Sequence, residues 1–253
     1  MKKYVLLLLS ILMMLCFAAG CGGEKKDEGP KVLKVGTEAT FPPFEFREKG
    51  SKELHGFDID LINAIGKKLD MKVEILDMDF EALLPSVKRG NVNLVIAGVT
   101  ITPERQKVVD MSDPYFQSGL SIVVNKGNTA IHKPEDLKGR AVAVQIETTG
   151  EEKAKKLTGD KVKSFKTNEE VFQALKEKTV EAVIIDKPVA RYYIKKLALD
   201  AVIAGDSFEP EAYGIVTRRH AELTPRINKA LAELKQSGEY DKIYEKWFGK
   251  ETK

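Results

Sequence analysis

The stretch DFEALLPSVKRGNVNLVIAG, residues 79–98, decides the fold class. The residues after Asp79 predict a helix, with Pro85 expected in its first turn, where a missing N–H costs little, and Gly90 after its end. The run Asn91 to Gly98 is apolar enough to form a strand that is buried on both faces. A helix followed directly by such a strand indicates an α/β protein.

The same alternation of strands and helices extends in both directions along the chain. Upstream, strands at Val32 to Val35 and Val73 to Leu76 flank a helix at Phe57 to Leu69. The downstream elements follow the same pattern: strands at Leu120 to Val124, Ala141 to Gln145, Val180 to Asp186 and Tyr213 to Thr217, a helical turn at Pro134 to Leu137, and helices at Leu223 to Leu234 and Tyr240 to Phe248 with a break at Gly238.

Length and composition match an ordinary globular protein of one or two modest domains. The chain has 253 residues, of which 43% are hydrophobic and 31% are charged. Lys and Arg number 41 against 38 Asp and Glu, and 39 against 38 once the two lysines of the leader are removed. This balance and the absence of a basic cluster give no indication of nucleic acid binding.

The leader MKKYVLLLLSILMMLCFAAG, residues 1–20, is typical of a secretion signal. Its apolar run of 16 residues, from Tyr4 to Ala19, is shorter than the about 20 residues of a spanning helix, so a permanent transmembrane anchor is the weaker alternative. The small residues before Cys21 resemble the lipobox of bacterial lipoproteins, in which the cysteine is acylated. A free thiol beside an ordinary cleavage site is the alternative.

The charged segment at residues 21–30 predicts a flexible tether between an acylated Cys21 and the folded body. The protein is therefore expected outside the cytoplasm, either anchored to the outer face of the cell membrane or in the periplasm. Because Cys16 leaves with the signal, no intrachain disulfide is expected.

Polar and aromatic residues cluster where the predicted strands end, the edge at which open α/β sheets bind ligands. The cluster offers a guanidinium, hydroxyls, backbone N–H groups, carboxylates and aromatic faces, which together match an α-amino acid. Its members are Glu38 and Phe41 after the first strand, Gly98, Thr100 and Arg105 after the strand of residues 91–98, Thr148 after the strand ending at Gln145, and Asp186.

Each of the polar candidates has a second interpretation. Arg105 could hold a carboxylate with its two-pronged guanidinium, or it could be a solvated helix residue. Thr148 could face an anion at a helix N-terminus, or it could act only as an N-cap. Asp186 could hold an ammonium group, or it could cap the helix that follows.

Three phenylalanines surround the Pro-Pro pair of TFPPFEF, residues 40–46. We expect Phe44 and Phe46 in the core. Phe41 lies on an irregular turn, where it could equally face a ligand.

Several motifs together resemble the polar amino-acid binding proteins of bacterial ABC importers. The likeness spans nearly all of Val32 to Gly249. The motifs in chain order are TFPPFEF, GFDIDL, DFEALLPSVKRGNVNLVIAGVTITPERQ, DMSDPYFQSGL, VAVQIETTG, AVIIDKPVA, AYGIV and EYDKIYEKWFG.

The resemblance implies an α/β fold of the periplasmic-binding-protein-like type II class, with two lobes, a two-segment hinge and a ligand cleft between the lobes. Lobe 1 would comprise residues 31–114 and 214–253, and lobe 2 residues 120–208. The chain would cross between them at residues 115–119 and 209–213. Hinge closure about a free L-amino acid, followed by delivery to an ABC transporter permease, is the activity that this implies.

The resemblance also implies roles for nine residues at the cleft. Gly98, Thr100 and Arg105 would take the α-carboxylate, together with the hydroxyl and N–H of Thr148, while Asp186 would take the α-ammonium. Phe41 and Phe57 would flank the ligand's side chain, and Glu38 would meet its polar end. Gln145 would stand beside it, at a position where related proteins can have lysine.

Glu38 determines which amino acid the cleft is expected to prefer, because it would meet the polar end of the ligand's side chain. A carboxylate between aromatic faces suits a guanidinium, which favours arginine or another basic amino acid such as lysine or histidine. Glutamine is the alternative, because its amide can also donate to Glu38. Glu147 would favour a cation if it points into the cleft, and a solvated Glu147 remains equally open.

An enzyme of the dehydratase type on the same fold is a remote alternative. It would need a general acid or base beside the cleft, and His55, His132 and His220 lie at none of the strand ends assigned to the site. The scattered histidines also offer no metal site. We therefore expect a binding protein that has no cofactor and is not an enzyme.

Overall fold

The computed structural model describes residues 31–48 and 50–250. The predicted signal segment 1–20, the lipidation site Cys21 and the tether 21–30 lie outside these residues. The described residues from Val32 onward belong to one compact unit. Within them, no helix combines the length and the apolar character needed to cross a membrane.

The first half of the described chain contains seven strands and three helices. In chain order these are β1 (Lys31–Thr37), β2 (Thr40–Phe41), β3 (Glu45–Arg47), β4 (Leu54–His55), α1 (Phe57–Lys68), β5 (Met71–Asp77), α2 (Phe80–Arg89), β6 (Leu94–Val95), α3 (Pro103–Gln106) and β7 (Asp110–Met111).

The second half contains six strands, five helices and two short 3₁₀ helices. In chain order these are β8 (Phe116–Asn125), a 3₁₀ helix at Pro134–Leu137, β9 (Val142–Gln145), α4 (Thr149–Thr158), a 3₁₀ helix at Gly159–Lys161, β10 (Val162–Phe165), α5 (Asn168–Lys176), β11 (Ala182–Asp186), α6 (Lys187–Lys196), β12 (Ala201–Tyr213), β13 (Val216–Thr217), α7 (Leu223–Gln236) and α8 (Glu239–Phe248).

The first sheet has the strand order β5-β1-β6-β13-β7. Strands β1 and β6 are parallel, with Val35 opposite Leu94, whereas β13 runs antiparallel to both β6 and β7. Helix α1 packs with α7 and α8, and α2 packs on β6 and β13. We call this part lobe 1, together with the small antiparallel sheet β2-β3-β4. It combines strands from the beginning and the end of the chain.

The second sheet has the strand order β10-β9-β11-β8-β12 and forms lobe 2. Its central strands carry buried residues on both faces, as their apolar sequences predict. Helices α5 and α6 cover one face, where the rings of Phe172 and Tyr193 stack at 4.6 Å. Helix α4 covers the other through Ala154.

Two long strands connect the lobes. The first residues of β8 pair antiparallel with the last residues of β12, with Phe116 opposite Tyr213 and Gly119 opposite Pro210. Beyond these pairs, the N–H of Ile101 donates to the carbonyl of Ala212 at 2.8 Å, on the lobe 1 side. The paired residues Phe116–Gly119 and Pro210–Tyr213, which we call the ribbon, therefore connect the two lobes.

Most of the elements predicted from sequence are confirmed, and three details are wrong. The predicted strand Tyr213 to Thr217 is interrupted, because β12 ends at Tyr213 and β13 covers only Val216–Thr217. Helix α2 begins at Phe80, so Pro85 lies inside the helix rather than in its first turn, where its ring removes one intrahelical hydrogen bond. Regular strand pairing covers only Leu94–Val95 of the predicted strand 91–98. The backbone leaves the extended conformation at Gly98, where φ is +55°.

Candidate ligand-binding cleft

Two adjoining cavities lie between the lobes, each of about 20 Å³. Such a volume has room for about one water molecule, so an amino acid can enter only if the lobes or their side chains move apart. Seven of the nine residues expected at the site line these cavities: Phe41, Gly98, Thr100, Arg105, Gln145, Thr148 and Asp186.

Arg105 lies on the short helix α3. The hydroxyl of Thr102 caps this helix by accepting from the N–H of Arg105 at 3.2 Å. The guanidinium donates through Nη1 to the carbonyl of Thr100 at 2.9 Å, and its carbon lies 5.8 Å from the centre of the Phe80 ring. The arginine is therefore oriented toward the cleft rather than solvated.

Arg105 also forms a contact between the lobes, because its Nη2 donates to the carbonyl of Glu147 at 3.1 Å. Other contacts across the cleft are the hydrogen bond from the Tyr193 hydroxyl to the carbonyl of Thr40 at 2.9 Å and the ion pair between Lys166 and Asp79 at 3.1 Å. These contacts describe a closed conformation.

The loop after β9 brings Glu147 and Thr148 to the cleft. Glu147 has φ of +61°, a left-handed conformation that favours glycine, and its side chain is exposed. The Thr148 hydroxyl accepts from the N–H of Glu151 at 3.1 Å and donates to the carbonyl of Gln145 at 2.8 Å. Thr148 is thus the N-cap of α4 and lines the cavities at the same time.

Asp186 ends β11 and does not cap the following helix with its side chain. Its Oδ1 accepts from the hydroxyl of Ser118 at 2.8 Å and from the hydroxyl of Tyr213. Burial raises the pKa of this carboxyl above its usual range. Two residues of the ribbon between the lobes therefore hold one oxygen of Asp186.

Gly98 touches the cleft at a point where no side chain fits. A Cβ added here would lie 2.5 Å from Cε1 of Phe41, and its φ of +55° is unfavourable for other residues. Gly98→Ala is expected to cost about 1–2 kcal/mol of backbone strain and also to displace Phe41 and weaken ligand binding. Denaturant unfolding and calorimetric titration measure the two effects.

Gly127→Ala is the matched control for that substitution. Gly127 has φ of +86°, and a Cβ there meets nothing within 4 Å. We expect Gly127→Ala to lose stability without losing affinity. Unchanged affinity in Gly98→Ala would contradict the close packing against Phe41.

The aromatic wall of the cleft differs from the one expected. Phe57 is fully buried in lobe 1, where its ring lies 5.4 Å from Phe248 and 5.8 Å from Phe116, and it lines neither cavity. Phe80, the first residue of α2, lines the cavity together with Phe41. The assignment of Phe57 is corrected to Phe80. Phe44 and Phe46 are buried in the core, as predicted.

Substitution of the two rings by leucine separates their roles. Phe80→Leu is expected to weaken binding of a cationic ligand by about 1–2 kcal/mol, because leucine fills space but offers no π face. Phe57→Leu should lose stability and retain affinity. Calorimetric titration and denaturant unfolding of both variants test this, and the reverse pattern would restore Phe57 to the site.

Glu38 lies behind the cavities rather than at their surface. It is 4% exposed, and its carboxyl is hydrogen-bonded by the hydroxyl of Thr40 and by Gln145, which lines both cavities. No ion pair to Glu38 occurs in the described part of the chain. Burial raises the pKa of Glu38 to about 7. This carboxyl is therefore partly desolvated and lacks a cationic partner.

Glu211 is a site carboxyl that the sequence analysis missed. It lies on β12 in the ribbon and is 6% exposed, and its carboxylate accepts from the Thr100 hydroxyl at 3.1 Å. Burial, followed by the charge of Asp186, raises its pKa to about 7. Glu211 lies near Thr100 and Asp186 only because β12 pairs with β8, a strand far away in the sequence. No local sequence motif marks it.

The three histidines lie away from the cavities. His132 contacts the carbonyl of Thr129, and the N–H of His220 donates to Asp110, while His55 packs beside Phe46. Within residues 31–48 and 50–250, no group of three or more histidine, cysteine or acidic residues is arranged to hold a metal ion.

The family of bacterial extracellular solute-binding proteins, family 3, matches residues 33–250. The chain is 37% identical to the arginine-binding extracellular protein ArtP of Bacillus subtilis (strain 168), and the alignment covers 98% of each chain.

Solved structures show the same architecture. An ancestral arginine-binding protein bound to arginine has a TM-score of 0.83 and 52% identity, covering 86% of this chain and 98% of that chain. An ancestral arginine-binding protein bound to glutamine has a TM-score of 0.84 and 51% identity, covering 88% and 100%. The expected two-lobe α/β fold is confirmed by this similarity.

Proposed function

Because the chain belongs to the bacterial extracellular solute-binding proteins of family 3, we propose that it captures a basic L-amino acid, arginine foremost, and delivers it to the permease of an ABC importer. The observation that carries the preference for a basic ligand is Glu38, a buried carboxyl without an ion-pair partner in the described chain. An arginine side chain reaching it would supply the missing positive charge.

The α-carboxylate of the ligand would bind to Arg105. A guanidinium has five donors, of which two are used by the carbonyls of Thr100 and Glu147. The ligand would replace the contact to Glu147 and bond with the fork of the guanidinium. The first N–H groups of α4, next to Thr148, would add donors from lobe 2. The carboxylate would thus be held by both lobes.

The α-ammonium of the ligand would bind to Asp186. Its Oδ1 accepts from Ser118 and Tyr213, and the carboxyl also lies within hydrogen-bonding reach of Glu211. The ammonium would replace this contact with Glu211. Burial disfavours the charged form of Asp186. The positive charge of the ammonium would offset this cost. Gly98 and Thr100 line the same cavity and would take the α-carboxylate together with Arg105.

The side chain of the ligand would lie between Phe41 and Phe80 and extend toward Gln145 and Glu38. Cation–π attraction in such a desolvated position is worth about 2 kcal/mol, and charge pairing with Glu38 adds to it. Gln145 is held by Asn168 through its Oε1 at 2.9 Å. It would form the boundary between the cavity and Glu38.

Closure would use the ribbon between the lobes as its hinge, at residues 115–119 and 209–213. The closed cavities have no room for an amino acid, so an open state must precede binding. The contacts of Arg105, Tyr193 and Lys166 across the cleft would break on opening. A ligand that binds both lobes would shift the population to the closed state.

The family of extracellular solute-binding proteins implies a location outside the cytoplasm. We propose in addition that residues 1–20 are a signal peptide and that Cys21 carries a lipid anchor, with residues 21–30 as a tether. The sequence of the leader supports this part of the proposal.

Glutamine is the second candidate ligand. The similar ancestral arginine-binding protein has been solved with glutamine bound, and an uncharged amide could donate to Glu38. A glutamine side chain carries no positive charge to balance an ionised Glu38. Because burial raises the pKa of Glu38, glutamine would therefore bind better when this carboxyl is protonated.

Calorimetric titration tests the proposed ligand. The purified protein, unfolded and refolded to remove bound ligand, is titrated with arginine, lysine, histidine, glutamine and glutamate. We expect arginine to bind most tightly and glutamate not at all. A preference for glutamine would overturn the argument from Glu38. If none of the five amino acids binds, the proposed function is overturned.

A further inference from the structure

A tight turn brings two acidic side chains of lobe 1 together. Gly56 precedes α1 with φ of +136°, and a Cβ on it would lie 1.9 Å from the carbonyl oxygen of Phe44. The N–H of Asp58 donates to the same carbonyl at 2.9 Å. Helix α1 therefore begins directly against the backbone of Phe44 and Glu45, and Asp58 faces Glu45.

The carboxyl groups of Glu45 and Asp58 are fully buried and lie within hydrogen-bonding reach of each other. Neither oxygen of Glu45 meets an N–H or O–H donor in the described chain, and neither does Oδ1 of Asp58. Two ionised carboxylates contain only acceptors and cannot form a hydrogen bond. The contact therefore requires one proton between them.

The other oxygen of Asp58 connects this pair to the cleft. Oδ2 accepts from the N–H of Gly98 at 3.0 Å and from the hydroxyl of Tyr115 at 2.7 Å. Gly98 lines the candidate ligand cavity, and Tyr115 immediately precedes β8, where the chain enters the ribbon between the lobes. The carboxyl of Asp58 thus holds both Gly98, which lines the cavity, and Tyr115, which precedes the ribbon.

We propose that Asp58 is a positioning residue for the ligand cleft and that it shares a single proton with Glu45. Loss of this proton would leave two buried carboxylates that repel each other, and the repulsion would displace Asp58 from the N–H of Gly98. The cleft part of this proposal rests on the proposed function. Neither residue lines the two cavities, so Asp58 would act through the backbone of Gly98.

The surroundings of the pair favour the protonated form. Glu38 and Asp77 add negative charge near Glu45, and Tyr115 faces Asp58 as a neutral donor. Asp60, two residues farther along α1, faces Lys246 and Trp247 instead. Burial raises the pKa of Glu45 well above its usual range and that of Asp58 to about 6.

The sign of the pH dependence follows from these directions. An unfolded Glu45 loses its proton near pH 4.5, whereas the folded protein retains the shared proton to a higher pH. The stabilisation is complete below pH 4.5 and decreases as the pH rises toward the folded pKa. In that window the equilibrium constant for unfolding increases by up to about tenfold per pH unit from this proton alone.

Glu45→Gln tests the shared proton. An amide donates to Asp58 without titrating, so the variant should release about one proton fewer on unfolding than the wild type in the pH range between the unfolded and the folded pKa of the pair. Denaturant unfolding of the full protein over this range gives the proton count. Asp60→Asn is the control and should leave the count as in the wild type. Equal counts for Glu45→Gln and wild type would overturn the shared proton.

Two substitutions of Asp58 test the positioning role. Asp58→Asn retains an acceptor for Gly98 and Tyr115 and offers an N–H to Glu45, so arginine affinity should stay within about threefold of wild type. Asp58→Ala should lose about tenfold or more. Equal affinity of both variants and wild type would overturn the positioning role.

The pH profile of arginine binding separates positioning from general damage. Wild-type affinity should fall as the pH rises through the folded pKa of the pair, and Glu45→Gln should retain its affinity there. Parallel profiles would contradict the link to the cleft. If the wild type binds no amino acid at any pH, the proposed function and the positioning role of Asp58 both fail. The number of protons released on unfolding still tests whether Glu45 and Asp58 share a proton.

Discussion

Replacing Arg105 with alanine is expected to abolish measurable amino-acid binding while the protein stays folded. The guanidinium lines the cavity, and each charge-assisted hydrogen bond to a carboxylate contributes about 1.5–3 kcal/mol. Closure over an unpaired carboxylate would add a desolvation penalty of several kcal/mol. The expected loss is about 100-fold or more, measured by calorimetric titration with arginine.

Arg105→Lys and Arg140→Ala are the informative companions of that variant. Lysine retains the charge but not the planar fork, so we expect only partial recovery of affinity. Arg140 forms a surface ion pair with Glu181 at 2.8 Å, and its loss should leave binding unchanged. Circular dichroism verifies the fold of each variant. Near-normal binding by Arg105→Ala would reject the proposed α-carboxylate site.

Replacing Glu38 with glutamine is expected to weaken arginine binding by about tenfold or more and glutamine binding far less. The substitution preserves the shape of the side chain and removes the negative charge that would face the ligand's guanidinium. A desolvated ion pair of this kind is costly to disrupt from one side, because the remaining charge stays buried without a partner. Calorimetric titration of the variant with both amino acids gives the ratio.

Glu147→Gln is the control for charge near the cleft. Its side chain is exposed, so removing its charge should change arginine affinity only slightly. Equal losses of arginine and glutamine affinity in Glu38→Gln would remove the charge-pairing argument. A larger effect of Glu147→Gln than of Glu38→Gln would transfer the specificity to the loop after β9.

The sequence predicts the α/β class and much of the site because these depend on local patterns. Short apolar runs and helix stop signals such as Gly90 and Gly238 mark the elements. Polar residues at strand ends then converge at one edge by the geometry of the sheet. For this reason Arg105 and Asp186 line the same cavity although 81 positions separate them in the chain.

The aromatic wall could not be predicted, because a phenylalanine in the core and one at the cleft have the same local sequence character. Phe57 and Phe80 each begin a helix and are each buried. Only the long-range packing of α8 over Phe57 separates them. Similarly, Glu211 enters the site because β12 pairs with β8, a contact between residues far apart in sequence.

The crystal structure of the protein with arginine bound tests the central claim most directly. We predict closed lobes, with the α-carboxylate on Arg105, the α-ammonium on Asp186, and the guanidinium between Phe41 and Phe80, directed toward Glu38. Arginine bound in the opposite orientation, or outside the cleft lined by these residues, would contradict the account.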